Sequence, residues 1–284
     1  MKKFTLLFLW IFFSAVCAAQ WSGDPSVNTF VAGTGLDRTY AKIAADPAGS
    51  FYVSHWATVP DSAVNFNVWL QRLDHQGNRL WGNDGIRISA NPSRSWISGY
   101  DLTVDSAGNA VIAFEDMRAA DGFSHVYLYC YDGSGNPVWD SAGVEADTGR
   151  FMSYSPVLAV TGKGNVLVAW NCSYQKDTVQ KTGIRIMKYS PSGQPLWNGA
   201  IALNEPDSAN MFPIILPVQE DDFILVWERK FEKGSLIGTQ WYTYIRAQRF
   251  DSAGMAVWPQ DVLVCDHGDS AYVMGEYMIV STAE

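Results

Sequence analysis

Hydrophobic and polar positions alternate along most of this chain in runs of five to ten residues. Glycine-containing turns interrupt the runs at short, regular intervals. A period of two places successive side chains on opposite faces of a strand, so the pattern predicts many short strands and few or no helices. In "RLDHQGNRLWGNDGIRIS" (Arg72 to Ser89), Arg72 and Leu73 fall on opposite faces of such a strand. An Asp-x-x-Gly-Asn turn follows, in which Asp bonds back to nearby amides and Gly takes a positive φ.

The pattern repeats. "LDHQGNRLW", "YDGSGNPVW", "YSPSGQPLW" and "FDSAGMAVW" align on Trp81, Trp139, Trp197 and Trp258, which are 58, 58 and 61 positions apart. A second series lies between them: "ADPAGSFYVSHW" ending at Trp56, "VDSAGNAVIAFED" with Phe114 in the aromatic position, "VTGKGNVLVAW" ending at Trp170, and "VQEDDFILVW" ending at Trp227. Two marks in one register over four units define a structural repeat. Each unit reads as four strands, a to d. In the second unit these are Tyr100 to Val104, Ala110 to Glu115, Val126 to Tyr131, and a strand d beginning at Val138.

A unit of about 58 residues with four strands predicts an all-β fold, a β-propeller of four full four-stranded blades. The blades are expected at 40–89, 99–148, 155–204 and 211–265. The repeated Trp is then an inter-blade wedge, filling the space where twisted sheets splay apart. Residues 26–38 take the place of strand d ahead of the first blade. Residues 271–284 resemble the start of a fifth, so the expectation is an incomplete ring or a piece of a longer protein.

The first 19 residues change the picture of compartment. Lys2 and Lys3 precede an apolar run from Phe4 to Val16 and then small residues, predicting a secretory signal cleaved after Ala18 or Ala19. The run is short for a membrane span, so no transmembrane segment is expected after its removal, and the mature domain is 20–284. Loss of the two lysines takes the formal charge from −9 to −11, which argues against nucleic acid as a partner. Cys130, Cys172 and Cys265 show neither zinc spacing nor a disulfide framework. With the scattered His55, His75, His125 and His267 they imply no metal and no cofactor.

The a–b and c–d turns are nearly uniform, whereas the b–c loops and the d–a crossings vary, and variable loops on a repeat scaffold are where binding specificity resides. Aromatics beside Arg, Asn and Asp in those loops suit a sugar face or a peptide. The candidate ligand-binding residues are Trp96, Arg118, Phe151, Tyr154, Tyr174 and Trp241. For catalysis only Glu115, Asp116 and Glu228 qualify, as carboxylates able to hydrolyse a glycosidic bond, and capping strand ends is the competing role. The order Asp74, Gly77, Trp81 is more widely spaced than the Asp-box of sialidases, and no Gly-x-Ser-x-Gly elbow is present.

"VWLQRLDHQGNRLWGNDGIRIS" and "IRAQRFDSAGMAVWPQDVLV" resemble the repeat of large secreted proteins of Bacteroidota and related bacteria. There, "QrlD-x-x-G-x-x-lW" segments alternate with "D-x-x-G-x-x-x-v-x-W" segments. The resemblance covers roughly Tyr40 to Cys265 and implies a propeller-like fold, secretion and surface attachment, in that group often through a type IX sorting domain. It carries over no catalytic residue. The expected function is a secreted or cell-surface, non-enzymatic binding module for a protein or carbohydrate. The alternatives are a propeller-type glycoside hydrolase and a structural spacer.

Overall fold

The computed structural model describes residues 24–267 except 25, 27, 34, 60, 61, 94–98, 147, 150, 177, 178, 206, 236 and 237. Among the described residues, sixteen strands form four antiparallel sheets, each built from four consecutive strands in chain order. Blade 1 comprises β1 (Arg38–Ala45), β2 (Phe51–Val59), β3 (Ser62–Leu73) and β4 (Ile86–Arg87). Blade 2 comprises β5 (Asp101–Val104), β6 (Ala110–Asp116), β7 (His125–Tyr131) and β8 (Val144–Glu145). Blade 3 runs through β9 (Met152–Val160), β10 (Val166–Lys176), β11 (Val179–Tyr189) and β12 (Ile201–Leu203). Blade 4 runs through β13 (Ala209–Pro217), β14 (Phe223–Ser235), β15 (Gly238–Phe250) and β16 (Val262–His267). The fold is a β-propeller, and the described residues contain no helix. Residues 271–284 lie outside the described part.

The first strand of each sheet is the inner one: β1 contacts β5, β5 contacts β9, and β9 contacts β13. Asp101 on β5 ties three of them together, accepting from Lys42 Nζ at 2.9 Å and from the Leu158 amide at 2.8 Å. Alternation along each strand sends one set of side chains to each neighbouring blade. Ala110, Ile112 and Phe114 pack against Tyr52, Trp56 and Leu70 of blade 1, while Val111 and Ala113 pack against Val168 and Trp170 of blade 3. The core is thus three successive inter-blade layers, the third formed by Leu167, Ile184 and Ile186 against Phe223, Leu225 and Trp227. Trp170 and Trp227 are fully buried. Each removes some 150–250 Å² from water, an upper limit of roughly 4–6 kcal/mol of transfer free energy.

The turns form as expected. Asp105 Oδ1 accepts from the amides of Ala107 at 2.9 Å and Asn109 at 2.8 Å, and Gly108 has φ 83°. Three of the four repeat tryptophans reach across to the c–d turn of the next blade. Trp81 Nε1 donates to Gly133 O at 3.2 Å, Trp139 Nε1 to Pro191 O at 2.8 Å, and Trp197 Nε1 to Ser252 O at 3.2 Å. The positive-φ glycine of that turn lies against the indole: a Cβ on Gly193 would sit 2.7 Å from Trp139 Cγ. The wedge is therefore a paired device, tryptophan on one blade and glycine on the next.

Two expectations need correction. Strand d does not begin at Val138. The chain makes only a single bridge there (Tyr131 with Pro137), turns through Trp139 and Gly143, and re-enters the ladder as β8 at Val144. The second aromatic series also slips by one residue in blade 1. Trp56 pairs with Val68, as Glu115 pairs with Val126, Asn171 with Ile184 and Glu228 with Ile245. Trp56 therefore occupies the position of Glu115, and His55 that of Phe114, Trp170 and Trp227. A one-residue shift moves a side chain to the other face, so Trp56 meets blade 2, with its ring edge-on to Tyr100 and Phe114 at 5.7 and 5.9 Å.

Candidate functional site

Glu115 and Asp116 end strand β6 of blade 2, whereas Glu228 lies within β14, which continues to Ser235. Glu115 is buried, and its Oε2 accepts from the Ser155 amide of blade 3 at 3.2 Å. Ser155 sits at φ 50° in a bulge of β9, where its amide leaves the ladder. Blade 3 repeats the device: Asn171 Oδ1 accepts from the amide of Phe212 at 2.9 Å, and Phe212 sits at φ 54° in the bulge of β13. The recurrence identifies this position as an inter-blade tether. Glu228, the equivalent in blade 4, is fully buried, with Lys230 Nζ 3.4 Å from its Oε2.

Asp116 is buried beneath Arg118, whose guanidinium holds the carboxylate at 2.5 Å and lies 3.6 Å from the centre of the Tyr127 ring. Glu115 and Asp116 are brought together, in a crevice between blades 1 and 2 also lined by Trp56, Asn67 and Asn91, with about 150 Å³ of empty volume but too narrow for a water molecule. Neither carboxylate has room for a substrate and an attacking water. Glu228 lies two blades away.

The candidate ligand-binding residues divide. Arg118 is committed to Asp116 and also meets Tyr129 Oη and Ala142 O. Phe151 packs on the core between blades 2 and 3 under the Arg185 guanidinium, 4.2 Å from its ring centre. Tyr174 packs on the same core, and burial raises its phenol pKa. These three brace the scaffold. Tyr154, half-buried, pairs with Asn171 beside the Ser155 bulge. Trp96 lies outside the described residues. Trp241 pairs with Glu232 on the β14–β15 hairpin, and its side chain lies outside the described part.

Two of the histidines, His55 and His125, are tied into hydrogen bonds or ion pairs. His55 is buried and accepts from Arg38 Nε at 3.0 Å; burial, and then the Arg38 charge, push its pKa down to about 4. His125 is bracketed by Asp121 Oδ2 at 3.2 Å and Glu145 Oε1 at 2.9 Å. No group of three metal-ligating side chains occurs among the described residues. Cys130, Cys172 and Cys265 form no disulfide.

The residues that sequence reasoning missed share one recurring position on the inner strands. Counting back from the end of each inner strand, Tyr40, Gly99, Ser155 and Phe212 share one position. A Cβ on Gly99 would lie 3.2 Å from Ser155 Oγ, so adjacent members of the set adjoin one another. Tyr40 (φ 59°) and Phe212 are exposed large aromatics in the left-handed region, a conformation rare for bulky residues. Lys230 Nζ stands 5.5 Å from the Phe212 ring centre. Only the bulge, a property of strand pairing, distinguishes them from ordinary strand residues.

No family model matches the chain, and no curated protein matches it in sequence. Its fold is similar to solved propellers. The α-L-arabinofuranosidase of Fusarium graminearum bound to an iminosugar inhibitor aligns at 12% identity and a TM-score of 0.50, over 82% of this chain and 67% of that one. A mutant of the same enzyme aligns at 11% and 0.51, over 83% and 69%. The α-L-arabinanase of Penicillium chrysogenum with arabinobiose aligns at 16% and 0.47, over 81% and 72%. At these identities the likeness is one of fold.

Proposed function

We propose that this chain is a secreted, non-enzymatic propeller module that binds a neutral carbohydrate at its axial mouth, with the variable loops completing the contact. The observation that carries this reading is the pair of exposed aromatics, Tyr40 and Phe212, held in left-handed bulges on inner strands of blades 1 and 4. Residues kept in sparsely populated backbone regions cluster at ligand sites, and flat apolar rings stack on sugar faces while polar neighbours fix orientation. The expected mature charge of −11 disfavours anionic glycans. The carboxylates are engaged in inter-blade tethers and ion pairs, which supports binding over hydrolysis. The α-L-arabinofuranosidase of similar fold adds a carbohydrate precedent.

The test is titration of neutral oligosaccharides, arabino-oligosaccharides first, against the native chain and against Tyr40→Ala and Phe212→Ala. Each substitution should weaken binding roughly tenfold or more, the worth of one stacking contact, without lowering Tm. Release of reducing ends from any polysaccharide would overturn the non-enzymatic reading. Unchanged affinity in both variants would remove the axial mouth as the site.

A further inference from the structure

Each blade leaves strand c through its repeat tryptophan, and the residue after that tryptophan differs in all four: Gly82, Asp140, Asn198 and Pro259. In blade 2, Asp140 closes the connection to β8. Its Oδ1 accepts from the Ala142 amide and its carbonyl from the Gly143 amide, both at 2.9 Å. Blade 3 lacks this closure. Its connection from Trp197 to Ile201, the start of β12, is one residue shorter than that from Trp139 to Val144. It carries Asn198 followed by Gly199, the one Asn-Gly pair in the sequence.

Both residues are exposed, and neither the Asn198 side chain nor the Gly199 amide has a hydrogen-bond partner among the described residues. A Cβ on Gly199 would meet nothing within 4 Å, so open space surrounds this peptide unit. Other asparagines are held or blocked. Asn78 and Asn109 donate Nδ2 to Asp74 and Asp105, each at 2.9 Å. Asn91 and Asn136 precede prolines, which have no N–H. At Asn198 a free side-chain amide instead precedes a backbone nitrogen that no side chain shields, on a residue with the widest choice of φ and ψ.

We propose that Asn198–Gly199 is a site of spontaneous covalent modification, with water as its only co-reactant, and that its isoaspartyl product loosens the seam between blades 3 and 4. The Gly199 nitrogen gives up its proton to solvent base and attacks Asn198 Cγ. The bond from Cγ to the side-chain nitrogen breaks, and ammonia leaves with a proton taken back from solvent. The resulting succinimide is opened by water. Cleavage between the nitrogen and the main-chain carbonyl carbon gives isoaspartate, and cleavage between the nitrogen and Cγ gives aspartate.

The two products differ in what they do to the fold. Aspartate keeps the main chain and puts into blade 3 the residue that blade 2 carries as Asp140. Isoaspartate routes the main chain through Cβ, adding one backbone atom between Trp197 and Ile201. Those two residues hold the turn of blade 4. Trp197 Nε1 donates to Ser252 O at 3.2 Å, and a Cβ on Gly254 would lie 2.4 Å from Ile201 Cδ1 and 3.2 Å from Trp197 Cζ2. Contacts this close do not survive a longer connection unchanged.

The experiment is peptide mapping by mass spectrometry of the purified chain before and after storage in warm, mildly alkaline buffer. Fragmentation distinguishes isoaspartate from aspartate. Half or more of Asn198 should convert, with isoaspartate in excess, while Asn204, exposed but followed by Glu205, stays largely amide. Conversion of Asn198 no faster than that of Asn204 would overturn the proposal. Gly199 lies outside the positive-φ region and has room for a Cβ, so Gly199→Ala should fold like the parent and keep most of Asn198 as the amide. Undiminished conversion in that variant would refute the succinimide route. The deamidated fraction, separated by anion exchange, should unfold at lower urea concentration than Asn198→Asp, which has the same charge and an unaltered main chain. Equal midpoints would refute the loosening of the seam.

Discussion

Glu115 of blade 2 accepts a hydrogen bond from the backbone amide of Ser155 in blade 3, at 3.2 Å, with the carboxylate buried between the sheets. A residue with the appearance of an acid catalyst at a strand end instead satisfies an amide that the β9 bulge removes from its ladder. Glu115→Gln keeps an acceptor oxygen there, and Glu115→Ala does not. Loss of a partner for a buried amide costs about 1–3 kcal/mol, so the Ala variant should unfold at lower urea concentration by that amount and the Gln variant should stay closer to the parent. A Gln variant as unstable as the Ala variant would refute the tether.

The paired wedge predicts a graded glycine series. Gly193→Ala places a Cβ 2.7 Å from Trp139 at φ 78°, whereas Gly82→Ala, at φ 74°, meets nothing within 4 Å. Left-handed strain alone costs about 1 kcal/mol. Gly82→Ala should lose about that much, and Gly193→Ala clearly more, with reduced near-ultraviolet tryptophan ellipticity. Equal losses in the two variants would show that contact with the indole adds nothing.

His55 links stability to pH. Its pKa falls from 6.5 to about 4 on folding, so between these values the unfolded chain binds more protons than the native one. Its contribution is present above pH 6.5 and is lost as pH falls toward 4, at most about 3 kcal/mol. His55→Asn should flatten the slope of stability against pH across that window. An unchanged slope would exclude His55 as its source.

Lys188 and Asp221 form a buried ion pair between blades 3 and 4, 3.1 Å apart, with Thr161 Oγ1 also donating to Asp221 at 2.6 Å. Removing one partner of such a pair leaves the other charge uncompensated, at a cost of about 3–5 kcal/mol. Lys188→Met should show that loss in urea unfolding, and adding Asp221→Asn should recover part of it. Additive losses would mean that the two groups do not interact.

Cys130 is buried, and burial pushes its thiol pKa up to about 12. It should resist a thiol reagent at pH 8 in the native protein and react after unfolding. Prompt labelling of Cys130 in the folded chain would contradict this packing.

Much of the architecture was legible because it is written locally and four times over. The alternation, the Asp-x-x-Gly-Asn turns and the tryptophan period specify strands, hairpins and the inter-blade role of Trp81, each through contacts whose geometry the repeat itself sets. The register of Trp56 was not legible, because one residue separates two faces and only the partner strand decides between them. Strand d likewise starts after Trp139, since the indole leaves the ladder to reach Pro191 of the next blade.

The site was less legible still. Arg118, Phe151 and Tyr174 read as loop residues, yet each finds a partner distant in sequence or a core to brace. Tyr40 and Phe212 read as strand residues, yet both are exposed at bulges of the inner strands. By itself the sequence determined the repeating unit, because periodicity and turn chemistry act over a few residues. Only the tertiary structure decided which side chains tie blades together and which stand exposed on the inner strands, because both depend on register and bulges that neighbouring strands and blades impose.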